Sequence, residues 1–140
     1  HFLEPSQAEA LRLEAQTFAR SGRMPIHKFQ FGTQQFAKPH IFEADLHDGA
    51  MQQELPQFAE MLFDDSLVHA LLALLPEVQL SSGPKAKSLK LQYNSGSGGC
   101  FPWHYDNAGR PSKRAITCVV YLNPDWKAGD GGEIVLSPFL

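Results

Sequence analysis

The spacing of apolar residues predicts a helix near the start of the chain. Leu11, Ala15 and Phe18 recur at intervals of three and four residues, which places them on one face of a helix. A Ser-x-x-Glu sequence beginning at Ser6 is a capping-box pattern, and Gly22 stands where the helix would end. We therefore expect an amphipathic helix that begins near Ser6 and ends before Gly22.

Two short strands and two more helices are predicted next. Residues typical of strands run from Ile26 to Phe31 and from Ile41 to Leu46, and Gly32 and Pro39 separate the two segments. Proline suits the first turn of a helix, and a proline directly after an apolar run ends it. The predicted helices are Pro56 to about Phe63 and Ser66 to Leu75.

The second part of the chain has the period-two pattern of strands. Leu89, Leu91 and Tyr93 alternate with polar residues, as in a strand with one buried face. The glycine-rich run 94–99 then breaks the pattern and predicts a flexible rim; it lacks the Lys-Ser/Thr ending of a phosphate-binding loop. Turn residues at 123–125 and 129–132 flank Trp126. The later predicted strands are Arg114 to Leu122 and Glu133 to Ser137.

The strand Arg114 to Leu122 has two different faces. One face carries a hydroxyl, a small apolar group and a phenol, at Thr117, Val119 and Tyr121, which suits a pocket for a small dicarboxylate. Alternatively, Tyr121 is an ordinary tyrosine of an amphipathic strand. The other face is predicted to be core and consists of Ile116, Cys118, Val120 and Leu122.

The order of elements predicts the fold class. Helices come first and strands afterwards, which favours an α+β fold with helices packed on the outside of a sheet. At 140 residues, 43% hydrophobic and 19% charged, with net charge −3, the chain is long enough for one core. This composition argues against a disordered or membrane-spanning chain, and the scattered basic residues argue against nucleic-acid binding.

The two cysteines carry little information about function. Cys100 and Cys118 are too few and wrongly spaced for a zinc ribbon or a disulfide scaffold. We expect Cys118 to be core, and Cys100 to be packed or, as the alternative, redox-sensitive. The low cysteine usage fits a reducing compartment, the cytoplasm or the nucleus.

Candidate metal chemistry lies at His104 and Asp106. In an extended segment, residues i and i+2 point to the same side, so these two side chains can converge on one ion. One imidazole and one carboxylate are two thirds of the two-His-one-carboxylate set that binds Fe(II) and leaves open positions. Alternatively, His104 is a loop histidine that is hydrogen-bonded to a neighbouring carboxylate.

The segment around this pair resembles a known family. The His-Tyr-Asp-Asn sequence, the strand ending in Tyr121, the Asn-x-Asp-Trp turn and the Gly-Gly-Glu-Ile strand resemble the Fe(II)/2-oxoglutarate-dependent dioxygenases, in particular the prolyl 4-hydroxylase branch. The resemblance covers Leu89 to Leu136. It implies Fe(II), 2-oxoglutarate and ascorbate as cofactors, a protein or peptide substrate, and hydroxylation of a prolyl residue.

The resemblance also implies roles for individual residues. His104 and Asp106 would ligate iron, and Tyr121 would bind the distal carboxylate of 2-oxoglutarate. The same pocket would be lined by Tyr93 and Thr117. The peptide substrate would lie near Arg114 and Trp126. The implied fold is one partial dioxygenase domain, residues 1–140. Residues 1–80 would form its scaffold. Residues 86–140 would carry the metal and co-substrate strands of an incomplete double-stranded β-helix, or jelly-roll.

The sequence departs from the family's pattern in one respect. Family members carry a distal histidine and a basic residue after the Gly-Gly strand, whereas the other histidines here all precede His104. These are His1, His27, His40, His47 and His69, of which His40 and His47 are the least implausible ligands. The first residue, a histidine, and the apolar end at 138–140 predict a fragment. The alternatives to a 2-oxoglutarate-dependent dioxygenase are a non-catalytic fragment or binding module that retains the fold, and a cupin-like metal-binding protein with different chemistry.

Overall fold

The computed structural model describes residues 3–107 and 109–137, so His1 and the apolar residues 138–140 lie outside it. Helices and strands occupy the first two thirds of the chain. The elements are α1 (Pro5–Arg20), β1 (Ile26–Phe31), β2 (Gln34–Asp45), α2 (Gly49–Glu54), α3 (Pro56–Phe63), α4 (Ser66–Leu74), a 3₁₀ turn (Pro84–Ala86) and β3 (Lys90–Asn94). Within this part of the chain, no helix combines the length and apolar character needed to cross a membrane.

Helix α1 confirms the first predicted helix but corrects its beginning. The helix starts at Pro5, one residue before Ser6, and the residue before it makes no side-chain capping bond. The predicted capping box is therefore wrong. Glu9, its acidic member, instead forms an ion pair with Arg12 one turn later. At the other end Gly22 adopts a left-handed φ of 71° and its N–H donates to the Ala19 carbonyl, as a helix-ending glycine does.

Strand β2 is longer than the sequence predicts. It begins at Gln34 and contains Pro39, which was expected to separate strands. The pairing with β1 jumps from Ile26↔Phe42 to Lys28↔Ala37, so β2 has three extra residues at this point. A bulge of this kind accommodates a residue without an N–H, and it also leaves His40 with a φ of 64°.

The three strands form one antiparallel sheet in the order β1-β2-β3. Phe42 pairs with Tyr93 and Ala44 with Leu91, so these residues share the sheet face that packs on the helices. Because side chains alternate along a strand, Glu43 and its partners lie on the opposite face. The core on the helical face consists of Leu11, Phe18, Met24, Ala44, Leu46, Leu55, Phe58, Leu62 and Leu91.

Three helices lie between β2 and β3 in the chain. Helices α3 and α4 confirm the two predicted segments, and Pro56 stands in the first turn of α3. Helix α2 was not predicted; it begins after Asp48, whose side chain accepts a hydrogen bond of 2.9 Å from the N–H of Ala50. Mixed helices and an antiparallel sheet confirm the α+β class.

The predicted strands 114–122 and 133–137 do not form in this structure. Neither segment has strand structure, and of the four predicted core residues only Ile116 and Leu122 are partly buried, while Cys118 and Val120 are exposed. A strand needs a neighbouring strand to bond its backbone N–H and C=O groups. Among the described residues the sheet ends at β3, so alternating side chains alone do not make these segments strands.

Candidate metal and co-substrate site

The glycine-rich loop after β3 is held by its first residue and by the bulge of β2. Asn94 accepts a hydrogen bond of 2.9 Å from the N–H of Gly96 and donates one of 2.7 Å to the Gly99 carbonyl. The N–H of Ser95 donates to the His40 carbonyl at 2.9 Å. A Cβ at Gly99 would lie 2.6 Å from Asn94 Oδ1 and 3.0 Å from His40 Cβ. The backbone therefore approaches its neighbours closely here, as the glycine content predicts.

His104 and Asp106 lie together a few residues further on. The Nε2 atom of His104 is 3.2 Å from Oδ1 of Asp106, and the two side chains are 52% and 46% exposed. His104 Nδ1 lies 2.7 Å from the Pro102 carbonyl, which can only accept, so Nδ1 carries a proton in this contact. In the neutral imidazole, Nε2 is then a lone-pair atom that faces a carboxylate oxygen.

This arrangement fits two ligands of an Fe(II) site. Two electron-rich atoms this close need a cation between or beside them, either a proton or a metal ion. Adjacent ligands of an octahedron with bonds of about 2.1 Å are about 3.0 Å apart, close to the separation of Nε2 and Oδ1. The Pro102 carbonyl is the kind of second partner that fixes a metal-bound histidine. Within residues 3–107 and 109–137, no third histidine, cysteine or carboxylate joins the pair.

Hydrogen bonds tie Asp106 to the start of the following segment. The Arg114 guanidinium donates to the Asp106 carbonyl at 2.9 Å, and the Asn107 amide donates to the Arg114 carbonyl at 2.7 Å. Asn107 also accepts a bond of 2.9 Å from the N–H of Gly109. Sequence reasoning missed Asn107, although its place directly after a candidate ligand and two residues before a glycine is typical of such a turn.

Phe101 packs between the β1–β2 hairpin and His104, one of the two proposed metal ligands. Its ring centroid is 5.6 Å from that of His27, in an edge-on arrangement, and 6.1 Å from that of His104. The ammonium group of Lys38 lies 3.8 Å from the centre of the same ring. Burial lowers the pKa of Lys38, and this outweighs the opposite effects of Glu43 and Cys100. No local sequence pattern predicts this cluster, because its members are distant along the chain.

Glu43 connects the three strands on the sheet face opposite the helices. His27 Nδ1 lies 2.9 Å from its carboxylate, Lys90 donates at 2.7 Å and Gln92 at 2.8 Å. Burial raises the pKa of Glu43, but the hydrogen bonds from Lys90 and Gln92 and the charges of Lys90 and His27 together lower it by more. The net pKa is therefore below the usual glutamate value, and Glu43 is an ionised bridge between strands.

The residues expected to hold 2-oxoglutarate lie in different places. Tyr93 lies on the helix-facing side of the sheet, with its ring centroid 6.1 Å from that of Phe42. Tyr121 is 57% exposed and Thr117 is exposed. The structure does not bring these three side chains into contact with His104 and Asp106, and their assignment as co-substrate residues stays a prediction.

The two residues expected near the substrate are both fixed by backbone contacts. Arg114 binds the carbonyl of Asp106, as described above. The Trp126 indole donates a hydrogen bond of 2.8 Å to the Gly131 carbonyl within its own turn, and the side chain is 46% exposed. Their roles toward a substrate stay predictions as well.

The remaining histidines and the cysteines have other surroundings. His47 Nε2 lies 2.7 Å from the Lys87 carbonyl, and His27 binds Glu43. Cys100 and Cys118 are both free thiols on exposed residues, so the expectations of a packed Cys100 and a core Cys118 are wrong. Cys118 is exposed because the strand that should have buried it does not form.

Comparison with known proteins found a match, and it covers the segment that contains His104 and Asp106. The model of the 2OG-Fe(II) oxygenase superfamily matches residues 89–139. Comparisons with curated proteins and with solved structures found no significant match. The match supports the expected superfamily and a dioxygenase, hence oxidoreductase, function, and it implies Fe(II) and 2-oxoglutarate as cofactors.

Proposed function

We propose that this protein is a protein prolyl 4-hydroxylase that uses Fe(II) and 2-oxoglutarate to hydroxylate proline in a peptide or protein. One observation carries the proposal. His104 Nε2 and Asp106 Oδ1 lie 3.2 Å apart, within the segment that matches the oxygenase superfamily. The family gives the reaction class, and the pair gives two of the atoms that would hold the metal.

The iron site would use the two side chains as they already stand. His104 would bind through Nε2, because its Nδ1–H is held by the Pro102 carbonyl at 2.7 Å. Asp106 would bind through Oδ1 and offset the metal's positive charge, and Arg114, whose own carbonyl accepts a bond from Asn107, would hold the Asp106 carbonyl. When bound, Fe(II) with 2-oxoglutarate and dioxygen supplies the oxidation that hydroxylates an unactivated C–H bond and yields succinate and carbon dioxide.

The co-substrate pocket would be formed around the strand-like segment that ends in Tyr121. A phenol and a hydroxyl are neutral donors that suit a carboxylate, which is why we assign Tyr121 to the distal carboxylate and Thr117 to the pocket wall. Tyr93, at the end of β3, is the third proposed lining residue. Tyr93 is 42% exposed, so it is accessible to a ligand.

The peptide would approach from the side of Arg114 and Trp126. Arg114 is joined directly to the backbone of Asp106, so it stands beside the proposed metal position. Trp126 presents an exposed aromatic face that its bond to Gly131 holds in place, and such a face suits a proline ring. The preference for proline, and for ascorbate as an additional cofactor, rests on the resemblance of segment 89–136 to the prolyl hydroxylase branch.

We also propose the domain organisation that this activity requires. Residues 1–80 would be the scaffold and 86–140 the metal and co-substrate part of a single domain with a jelly-roll core. The antiparallel sheet and the superfamily match support the proposal. The alternating apolar residues Val120, Ile134 and Leu136, which are exposed here, are those that strand pairing in such a core would bury.

The test is turnover by the intact protein. Succinate formation from 2-oxoglutarate would be measured with Fe(II), ascorbate and proline-containing peptides, and the peptide would be checked by mass spectrometry for one added oxygen atom. Asp106→Ala should abolish turnover, whereas Glu77→Ala, which removes an exposed carboxylate between α4 and β3, should retain it. Full turnover in Asp106→Ala would contradict the site assignment. A wild-type protein without turnover would favour a binding module.

A further inference from the structure

We propose that Lys38 and Phe101 are positioning residues for the His104 imidazole. The β1–β2 hairpin, which lies outside the segment matched by the superfamily, would hold the Phe101 ring, and this ring would hold His104. The inference rests on the proposed role of His104 as an iron ligand. The hairpin would then take part in metal binding although it lies before the matched segment, residues 89–139.

The first step is the fixing of Phe101 by the hairpin. Lys38, in β2, places its ammonium 3.8 Å from the ring centre, well within the range of a cation–π contact. His27, in β1, meets the same ring edge-on at 5.6 Å. His27 is itself held by Glu43, which Lys90 and Gln92 of β3 also bind. The ring is therefore anchored to all three strands of the sheet.

The second step is the contact of Phe101 with His104. The two ring centroids are 6.1 Å apart, with an angle of 41° between the planes. His104 lies in a segment without helix or strand structure, so the surrounding backbone does not restrict its side chain strongly. Its defined neighbours are the Pro102 carbonyl at Nδ1, the Asp106 carboxylate at Nε2 and the face offered by Phe101. The Phe101 contact limits rotation of the imidazole away from Asp106.

The third step is the nature of the Lys38 contact. Among the described residues, the Lys38 ammonium makes no hydrogen bond or ion pair, and its close contacts are the rings of Phe29 and Phe101. A partly buried ammonium in this position is attracted by the negative face of the ring. The charge, rather than the bulk of the side chain, should therefore hold Phe101. Arginine should replace Lys38, and methionine of similar length should not.

The test compares Lys38→Met with Lys38→Arg, and uses Lys28→Met as the matched control. Lys28 lies on β1 of the same hairpin and is exposed. The first measurement is the NMR shift of the His104 ring protons in the metal-free protein, assigned by their loss in His104→Gln. The nearby Phe101 ring current shifts these protons, and Phe101→Leu should remove that contribution. Lys38→Met should reduce it, and Lys38→Arg and Lys28→Met should preserve it.

The second measurement is the affinity for Mn(II), a redox-stable substitute for Fe(II). We expect Lys38→Met to weaken binding about two- to fivefold, the range of one cation–π contact. Phe101→Leu should weaken it about tenfold, as loss of an outer-shell partner does. Lys38→Arg and Lys28→Met should bind as the wild type does. Circular dichroism of each variant would confirm that the fold is retained.

The outcomes separate this inference from the proposed function. His104 shifts that do not respond to Phe101→Leu would overturn the contact, whether or not the protein is an oxygenase. Shifts and Mn(II) affinity that change equally in Lys38→Met and Lys28→Met would overturn the role of Lys38. A wild-type protein that shows the expected shifts but does not bind Mn(II) would instead overturn the proposed metal site, and with it the role assigned here.

Discussion

Glu43 is the residue that links the sheet most extensively on the face opposite the helices. Its carboxylate binds a histidine of β1 and a lysine and a glutamine of β3, namely His27, Lys90 and Gln92. Its side chain is 13% exposed, so the charge is only partly screened by water. A carboxylate in this position stabilises the fold only while it is ionised, because a protonated one loses the attraction of Lys90.

This dependence predicts acid sensitivity. The pKa of Glu43 is lowered in the folded protein, so its stabilising effect is present above the unfolded glutamate value of about 4.3 and is lost as pH falls through the folded pKa. Glu43→Gln should therefore be less stable than the wild type at about pH 7, and the difference should shrink toward about pH 3. Urea unfolding at several pH values would check it. A difference independent of pH would contradict the ionised bridge.

Substitution of Tyr121 should distinguish a 2-oxoglutarate-dependent enzyme from the cupin-like alternative. A neutral phenol bound to a buried carboxylate contributes about 1.5–3 kcal/mol, so Tyr121→Phe should raise the KM for 2-oxoglutarate about 10- to 100-fold without changing Mn(II) affinity. Unchanged activity in Tyr121→Phe, without a requirement for 2-oxoglutarate, would favour the cupin-like alternative.

At the scale of elements, the junction between the β2 bulge and the glycine-rich loop positions the metal-ligand segment. The loop leaves β3 at Asn94, is bonded to the His40 carbonyl and passes Asn94 again at Gly99. His40 adopts a left-handed φ because the extra residues of β2 bend the strand at this point. The bulge therefore sets the direction in which the chain continues toward Phe101 and His104.

Gly99→Ala should disturb this junction. The added Cβ would lie 2.6 Å from Asn94 Oδ1, so the Asn94 side chain or the loop must move, at a cost of about 1–3 kcal/mol. Gly49→Ala is the matched control, because a Cβ at Gly49, at the start of α2, would meet nothing within 4 Å. The free energy of unfolding in urea would distinguish the two. Equal stability of both variants would show that the loop yields without cost.

At the scale of the whole molecule, regular secondary structure and burial of apolar side chains are concentrated in the first two thirds of the chain. The first two thirds of the chain bury large apolar side chains between α1, α3 and the sheet, including Leu11 at 2% and Leu62 at 1% exposure. Segments 113–123 and 133–137 have no strand structure and expose apolar side chains such as Val135 and Leu136. The proposed catalytic residues therefore stand at the boundary between a packed scaffold and a part with little regular structure.

Hydrogen exchange should follow this division. Amides of α1, β2 and β3 are bonded within helix or sheet and should exchange slowly, whereas those of 113–123 and 133–137 should exchange quickly. Mass-spectrometric peptide mapping at neutral pH would measure both. Slow exchange in 114–122 would instead show that this segment pairs as a strand in solution, as its sequence predicts and as the proposed jelly-roll core requires.

Local patterns were reliable where one sequence feature decides one element. Gly22 ends α1, Pro56 starts α3 and Ile26–Phe31 is a strand as predicted. The prediction failed where an element needs a distant partner. Segment 114–122 has strand-like residues, yet no strand lies beside it in the described part of the chain, and Pro39 stands inside β2 because a bulge admits it.

The sequence by itself determined the α+β class, the match of residues 89–139 to the 2OG-Fe(II) oxygenase superfamily model, and the closeness of His104 and Asp106, because side chains two residues apart in an extended segment point to the same side. Only the tertiary structure decided which distant residues meet this pair. Lys38 and His27 reach Phe101 through the register of β1 with β2, and sheet register depends on pairing between strands that no local pattern encodes.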